Sequence, residues 1–237
     1  MPKLAIGLDQ VAVLRESRRA PDPDPVAAAY VAEMAGADGI VVHLRTDRRH
    51  VQERDLEVLR RTVTVPLHLM TAATAEALRV SATMKPDTVT LVPERREEVT
   101  TEGGLDVLLS AGTLERMVVT LREAGFKVTL LVDPELDQIR AAAKISAEAV
   151  QISTQFFAKA EGEMAAEREL MRLQEAVRGA SRLKLQVIAG LGLTYACARQ
   201  VAVIPDVSEV RVGHAVIARA CIVGLDRAVR EMRALVA

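Results

Sequence analysis

Two histidines and three arginines fall within eight residues, at His43-Leu44-Arg45-Thr46-Asp47-Arg48-Arg49-His50. Side chains of these types suit the capture of an anion. Guanidinium forks grip phosphate or carboxylate oxygens in pairs, and an imidazole can donate a hydrogen bond or move a proton. The cluster follows an apolar run, Gly39-Ile40-Val41-Val42, so it stands where a buried strand ends. Burying it is costly unless an anion balances the charge. Two readings follow: a site for a phosphorylated or carboxylated small molecule, or a solvated, charged loop.

An alternation of short β-branched runs and helical patterns must position that cluster. Strands are expected at Leu4–Asp9, Gly39–Leu44, Pro66–Ala72, Thr88–Pro93, Lys127–Asp133, Ala149–Thr154, Leu185–Gly190 and Glu209–Gly213. Helices are expected at Pro25–Ala37, Glu53–Val63, Thr74–Lys85, Thr113–Gly125, Glu135–Ser146, Ala165–Arg182, Thr194–Ile204 and about Ala215–Val236. Pro25 suits a first helical turn, and Gly125 suits a helix end just before a strand. Eight such units with no long linker predict an α/β protein, a single (β/α)8 TIM barrel over residues 1–237. The longest loop, Glu94–Gly112, follows strand four and has the length of a lid or binding loop.

A barrel of this kind carries its chemistry at the C-terminal ends of its strands. Alternate side chains face inward, which pairs Gly7 with Asp9, His43 with Arg45, His68 with Met70, and Gln151 with Ser153. So many polar inward positions mark either a functional site or a hydrogen-bonded polar plug. After strand seven comes Ala189-Gly190-Leu191-Gly192-Leu193-Thr194, and after strand eight Val212-Gly213-His214. Glycines in those two loops let backbone N–H groups approach a phosphate, although they also serve as punctuation.

Composition narrows the partners. A net charge of −1 and only five aromatic residues (Tyr30, Tyr195, Phe126, Phe156 and Phe157) argue against nucleic acid. No apolar run is long enough to cross a bilayer and no signal peptide opens the chain, so a cytoplasmic location without membrane contact is the expectation. Cys197 and Cys221 read as reduced core residues, without a disulfide or a metal site.

Longer motifs resemble the pyridoxine 5'-phosphate synthase family of vitamin B6 biosynthesis. They are Asp9-Gln10-Val11-Ala12-Val13-Leu14-Arg15 with Arg18 and Pro23-Asp24-Pro25, then Ala35–Ile40, His43-Leu44-Arg45 and Asp47-Arg48-Arg49-His50. The resemblance continues through Leu91-Val92-Pro93-Glu94, Glu98–Asp106, Gly192-Leu193-Thr194-Tyr195 and Val212-Gly213-His214-Ala215 with Arg219-Ala220. It implies a (β/α)8 barrel that assembles as an octamer. It also implies a transferase that condenses 1-deoxy-D-xylulose 5-phosphate with 3-amino-2-oxopropyl phosphate and needs no cofactor. Carried over by matching position, Asp9, Arg45, His50 and Thr100 resemble ligands of the first substrate. Arg18, Gly192, Gly213 and His214 resemble ligands of the second, and His43 matches one of three catalytic positions.

The other two catalytic positions depart from the pattern. The family's strand-three glutamate, in an Asn-Leu-Glu-Met-Ala context, is Met70 in His68-Leu69-Met70-Thr71-Ala72. The histidine of Ala-Gly-His-Gly-Leu-Thr is Leu191, and a strand-six glutamate and histidine are Gln151 and Ser153. On strand one, an asparagine is Gly7 and a histidine is Gln10. Methionine and leucine transfer no protons. His68 shares the inward parity of Met70 but lies roughly 6–7 Å lower, which suits a hydrogen-bonded structural histidine better than an acid or base. Three readings remain: a synthase with a rearranged site, a paralogue with another reaction on a phosphorylated carbonyl compound, and a silent subunit that binds a metabolite or joins an active paralogue.

Overall fold

The computed structural model describes residues 1–95, 97–98 and 100–237; Arg96 and Val99, in the loop after strand four, lie outside them. Strands β1 (Lys3–Gly7), β2 (Gly39–His43), β3 (Leu67–Ala72), β4 (Thr88–Val92), β5 (Lys127–Val132), β6 (Ala149–Ser153), β7 (Gln186–Gly190) and β8 (Val207–Val212) pair in chain order. β1 pairs with β8 and closes a parallel barrel, as the alternating pattern predicts.

Helices α1 (Asp9–Arg18), α2 (Pro25–Met34), α3 (Glu53–Thr62), α4 (Ala75–Met84), α5 (Ala111–Glu123) and α6 (Leu136–Lys144) belong to the first five connections. Helices α7 (Gln155–Ala158), α8 (Glu163–Arg182), α9 (Ala198–Ala202), α10 (His214–Val223) and α11 (Leu225–Val236) belong to the remainder. Asp24 caps α2 by accepting the Val26 N–H at 2.8 Å, with Pro25 in the first turn.

Several boundaries differ from expectation. Asp9 is the first residue of α1, not the end of a strand, and α1 itself has no counterpart in the sequence pattern. Its buried residues are Val11, Ala12 and Arg15, while Val13 and Leu14 face outward, so no apolar stripe announces a helix. The last expected helix is two, broken at Gly224 with φ +84°. The helix expected over Thr194–Ile204 contracts to α9, and α7 is a single short turn the pattern did not mark. Cys197 is buried as expected, but Cys221 is exposed on α10; both are free thiols.

Parity sorts the core into two apolar clusters. Outward strand residues such as Leu4, Ile6, Ile40, Val42, Leu67 and Leu69 pack beneath the helices. Inward residues Ala5, Val41, Met70, Val92 and Leu131 form a second cluster on the barrel axis, with Leu191 against it. Many of the other inward positions are polar: His68, Thr90, Gln151, Glu209 and Arg211 are all buried.

Candidate functional site

His43 ends β2, and its neighbours Val42 and Leu44 belong to the outer apolar core, so the imidazole turns inward. The Asp9 carboxylate accepts the His43 backbone N–H at 2.6 Å and ties the start of α1 to the end of β2. The His43 and His50 rings stand edge to face with centroids 6.0 Å apart. His50 Nδ1 accepts the Val51 N–H at 2.8 Å, which leaves the ring proton on Nε2 as a donor.

Burial holds both imidazoles uncharged, reinforced at His43 by the His50 ring and Arg45, and at His50 by Arg45. His43 is pushed down to about 3; His50 is pushed down to about 4 by burial, with Arg45 adding to it. Burial drives Asp9 the other way, up to about 7, partly offset by the His43 N–H. Asp9 therefore changes charge near neutral pH while the histidines do not.

The chain supplies much of its own counter-charge for the arginines. Arg45, 1% exposed, lies 3.4 Å from Glu98, 3.6 Å from Asp47 and 3.8 Å from Glu94, and donates to the Arg95 carbonyl at 2.9 Å. Arg48 bridges Glu53 and Glu76 at 2.8 and 2.7 Å, and Arg49 pairs with Asp47 at 2.5 Å. The cluster thus joins features of both readings the sequence left open: a charged loop outside, a buried guanidinium and two neutral imidazoles within.

The loop after β4 is anchored at both ends of this region. Arg49 donates to the Glu98 carbonyl at 3.0 Å, and Gly104 N–H donates to Asp133 at 3.0 Å beyond the end of β5. A Cβ on Gly104 would come within 2.4 Å of the Val132 backbone, so only glycine fits there. Thr100 is exposed on the same loop.

The glycines of the last two loops sit at close approaches. Gly192 has φ +88°, and a Cβ there would stand 2.9 Å from Gln155 Cα. A Cβ on Gly213 would meet Gln10 Oε1 at 3.2 Å, and one on Gly7 would meet Gly213 Cα at 3.1 Å. Gly213 precedes His214, the exposed first residue of α10. Arg18 is exposed in the last turn of α1, a rise of about 13 Å from Asp9. It shares no hydrogen bond with the other site residues among the described residues.

Beside these groups the wall is apolar. Met70 lies in the inner cluster with Val41, Val92 and Leu131, and Leu191 packs against it. Leu191 has φ +74°, a left-handed conformation that costs a side-chain-bearing residue roughly 1 kcal/mol. Thr154 holds it there by donating its hydroxyl to the Leu191 carbonyl at 2.8 Å.

Lower in the barrel, Arg211 donates to Glu209 at 2.6 Å, to Thr90 at 2.8 Å and to Gln151 at 3.1 Å. His68 Nε2 lies 3.6 Å from Glu209 and its ring is held neutral, about 4, by burial and Arg211. Gln151 and His68 therefore belong to a structural polar network. Sequence reasoning did not single out Glu209 and Arg211, although their alternation in Val207-Ser208-Glu209-Val210-Arg211-Val212 carries the inward parity it used elsewhere.

A family model described as "Pyridoxal phosphate biosynthesis protein PdxJ" matches residues 4–237. A protein of Thermosynechococcus vestitus named pyridoxine 5'-phosphate synthase is 49% identical over 236 residues, covering 100% of this chain and 99% of its own. A Synechococcus protein of the same name is 51% identical over 233 residues, covering 98% of each chain. Among solved structures, thiamine phosphate pyrophosphorylase from Pyrococcus furiosus superposes with a TM-score of 0.61 at 18% identity, over 99% of this chain and 95% of its own. KGPDC from Streptococcus mutans gives 0.66 at 14% identity, over 100% and 97%. At those identities the two structures establish the barrel alone.

Proposed function

Because the chain belongs to the PdxJ family of pyridoxal phosphate biosynthesis proteins, we propose that its barrel mouth binds small phosphorylated metabolites of the 1-deoxy-D-xylulose 5-phosphate and 3-amino-2-oxopropyl phosphate type. We further propose that ring closure there is strongly impaired. The observation that carries this reading is the side-by-side presence of a binding wall and an inert one. His43, Arg45, His50 and Asp9 meet at the end of β2, while Met70 and Leu191 join the inner apolar cluster.

Buried polar atoms support a ligand at this place. Gln10 Oε1 and His43 Nε2 are buried with no hydrogen-bond partner among the described residues, a costly state that an incoming polar group relieves. Arg45 and the Nε2–H of His50 suit one phosphate. Thr100, Arg18, Gly192, Gly213 and His214 enter as ligands on the strength of the family resemblance. His43 and Asp9 are then the acid–base groups left at the mouth. Each lost general acid or base removes about 10²–10⁴ in rate, so losing two weighs heavily on a condensation with several proton transfers. Asp9, poised near neutrality beside His43, favours a second reading: a simpler enolisation or isomerisation of a bound phosphorylated carbonyl compound.

We also propose that the chain works as a homo-oligomer. Val13 and Leu14 on α1, Tyr30 and Met34 on α2 and Ile222 on α10 are large apolar side chains left exposed.

Calorimetry with 1-deoxy-D-xylulose 5-phosphate and with 3-amino-2-oxopropyl phosphate, and complementation of a pyridoxine auxotroph, test the reading together. Binding without rescue at good expression is the expected result. Rescue equal to that given by a relative with both acid–base residues would overturn the impaired chemistry, and no binding of either phosphate would overturn the site.

A further inference from the structure

Helix α1 touches both ends of the His43–His50 segment. At its first residue the Asp9 carboxylate takes the His43 N–H at 2.6 Å. Six residues on, a rise of about 9 Å, the buried Arg15 donates to the His50 carbonyl at 3.1 Å. The same guanidinium grips Asp55 with both ends of its fork, at 2.8 and 2.7 Å, and Asp55 is fully buried. Asp55 in turn accepts the Gln52 N–H at 2.9 Å, while the Gln52 side chain donates to the Arg48 carbonyl at 2.7 Å and the His50 carbonyl at 3.3 Å. The His50 carbonyl is therefore held from two sides, and the start of α3 is locked to α1.

We propose that α1 is a spacer that fixes the distance between the two histidines, and that Arg15 is a positioning residue which sets His50 for ligand binding without touching the ligand. The ligand-binding half of this inference rests on the reading of the mouth given above; the positional half does not. A lysine cannot replace Arg15. It reaches Asp55 with one point of charge, where the guanidinium holds the carboxylate and the His50 carbonyl at once.

The chain has four histidines, so their imidazole ¹H–¹⁵N signals can be assigned one by one. Arg15→Met combined with Asp55→Asn removes both charges and protects the fold from an unpaired carboxylate. In this variant, and in Arg15→Lys, the His50 signals are expected to move while those of His68 stay in place. Binding of 1-deoxy-D-xylulose 5-phosphate should weaken about tenfold. In a His50→Ala background the same substitutions should cost little more, because Arg15 acts through His50. Unmoved His50 signals in a folded variant would overturn the proposal whether or not the ligand binds. Equal, additive losses with and without His50 would reduce Arg15 to a general stabilising role and overturn it as well. Failure of the unsubstituted protein to bind would instead count against the reading of the mouth, with the spectra still deciding the spacer.

Discussion

Asp9 couples the site to pH in a direction opposite to an ion-paired carboxylate. Its folded value of about 7 exceeds the ordinary 3.8, so the folded chain holds a proton there that the unfolded chain has released. The resulting stabilisation is complete below about pH 4 and is lost as pH rises through 7. In Asp9→Asn, which keeps an oxygen for the His43 N–H, this component vanishes. The difference in unfolding free energy between parent and variant should therefore fall between pH 4 and 7, by on the order of 2 kcal/mol because the carboxyl is partly open to solvent. Urea titrations of both proteins across that range measure it; a difference that stays flat would show that Asp9 ionises normally. The inward parity of His43, Arg45, His68 and Gln151 was legible from spacing two apart. The charge state of the histidines was not, because it depends on burial and on Arg45, which sequence order does not reveal.

At the scale of elements, the loop after β4 and helix α1 decide how the β2 end behaves. Glu98, itself buried, places a carboxylate 3.4 Å from Arg45, where a ligand anion would also seek the guanidinium. Glu98→Gln keeps the volume and the acceptor for Arg95 N–H but removes the competing charge. Phosphate-ester binding should then tighten by about tenfold, read by calorimetry and fading at high salt. Weaker binding would mean that Glu98 organises the site instead of occupying it. The length of this loop marked it from sequence alone. Helix α1 gave no such signal, since its inner face uses an arginine and its outer face carries Val13 and Leu14. Periodicity finds helices with a wide apolar stripe, and α1 buries only Val11 and Ala12 beside the charged Arg15.

Over the whole molecule, closure of the barrel brings a buried ion pair onto its axis. Glu209 and Arg211 meet at 2.6 Å with both side chains under a tenth exposed. Arg211→Leu leaves Glu209 buried without its cation and should cost about 3–5 kcal/mol, whereas Glu209→Gln with Arg211→Leu should recover most of that loss. Chemical unfolding of the single and double variants decides between a costly pair and a dispensable one. Eight strands in order were readable from the alternation of β-branched runs and helical stretches. That a polar network fills the lower bore was half readable: His68 and Gln151 showed it, but their partners lie on strands far away in the chain.

Arg211 reaches Thr90 across 121 residues and Gln151 across 60. During synthesis the hydroxyl and the amide emerge long before the guanidinium that joins them, and every strand but the last is complete by then. An N-terminal fragment ending short of residue 209 holds the β2 cluster and the loop after β4, yet lacks Glu209 and Arg211, which join Thr90 and Gln151 in the bore. The β2 cluster is thus made long before the tie that steadies the barrel beneath it, while Gly213 and His214 follow that tie directly.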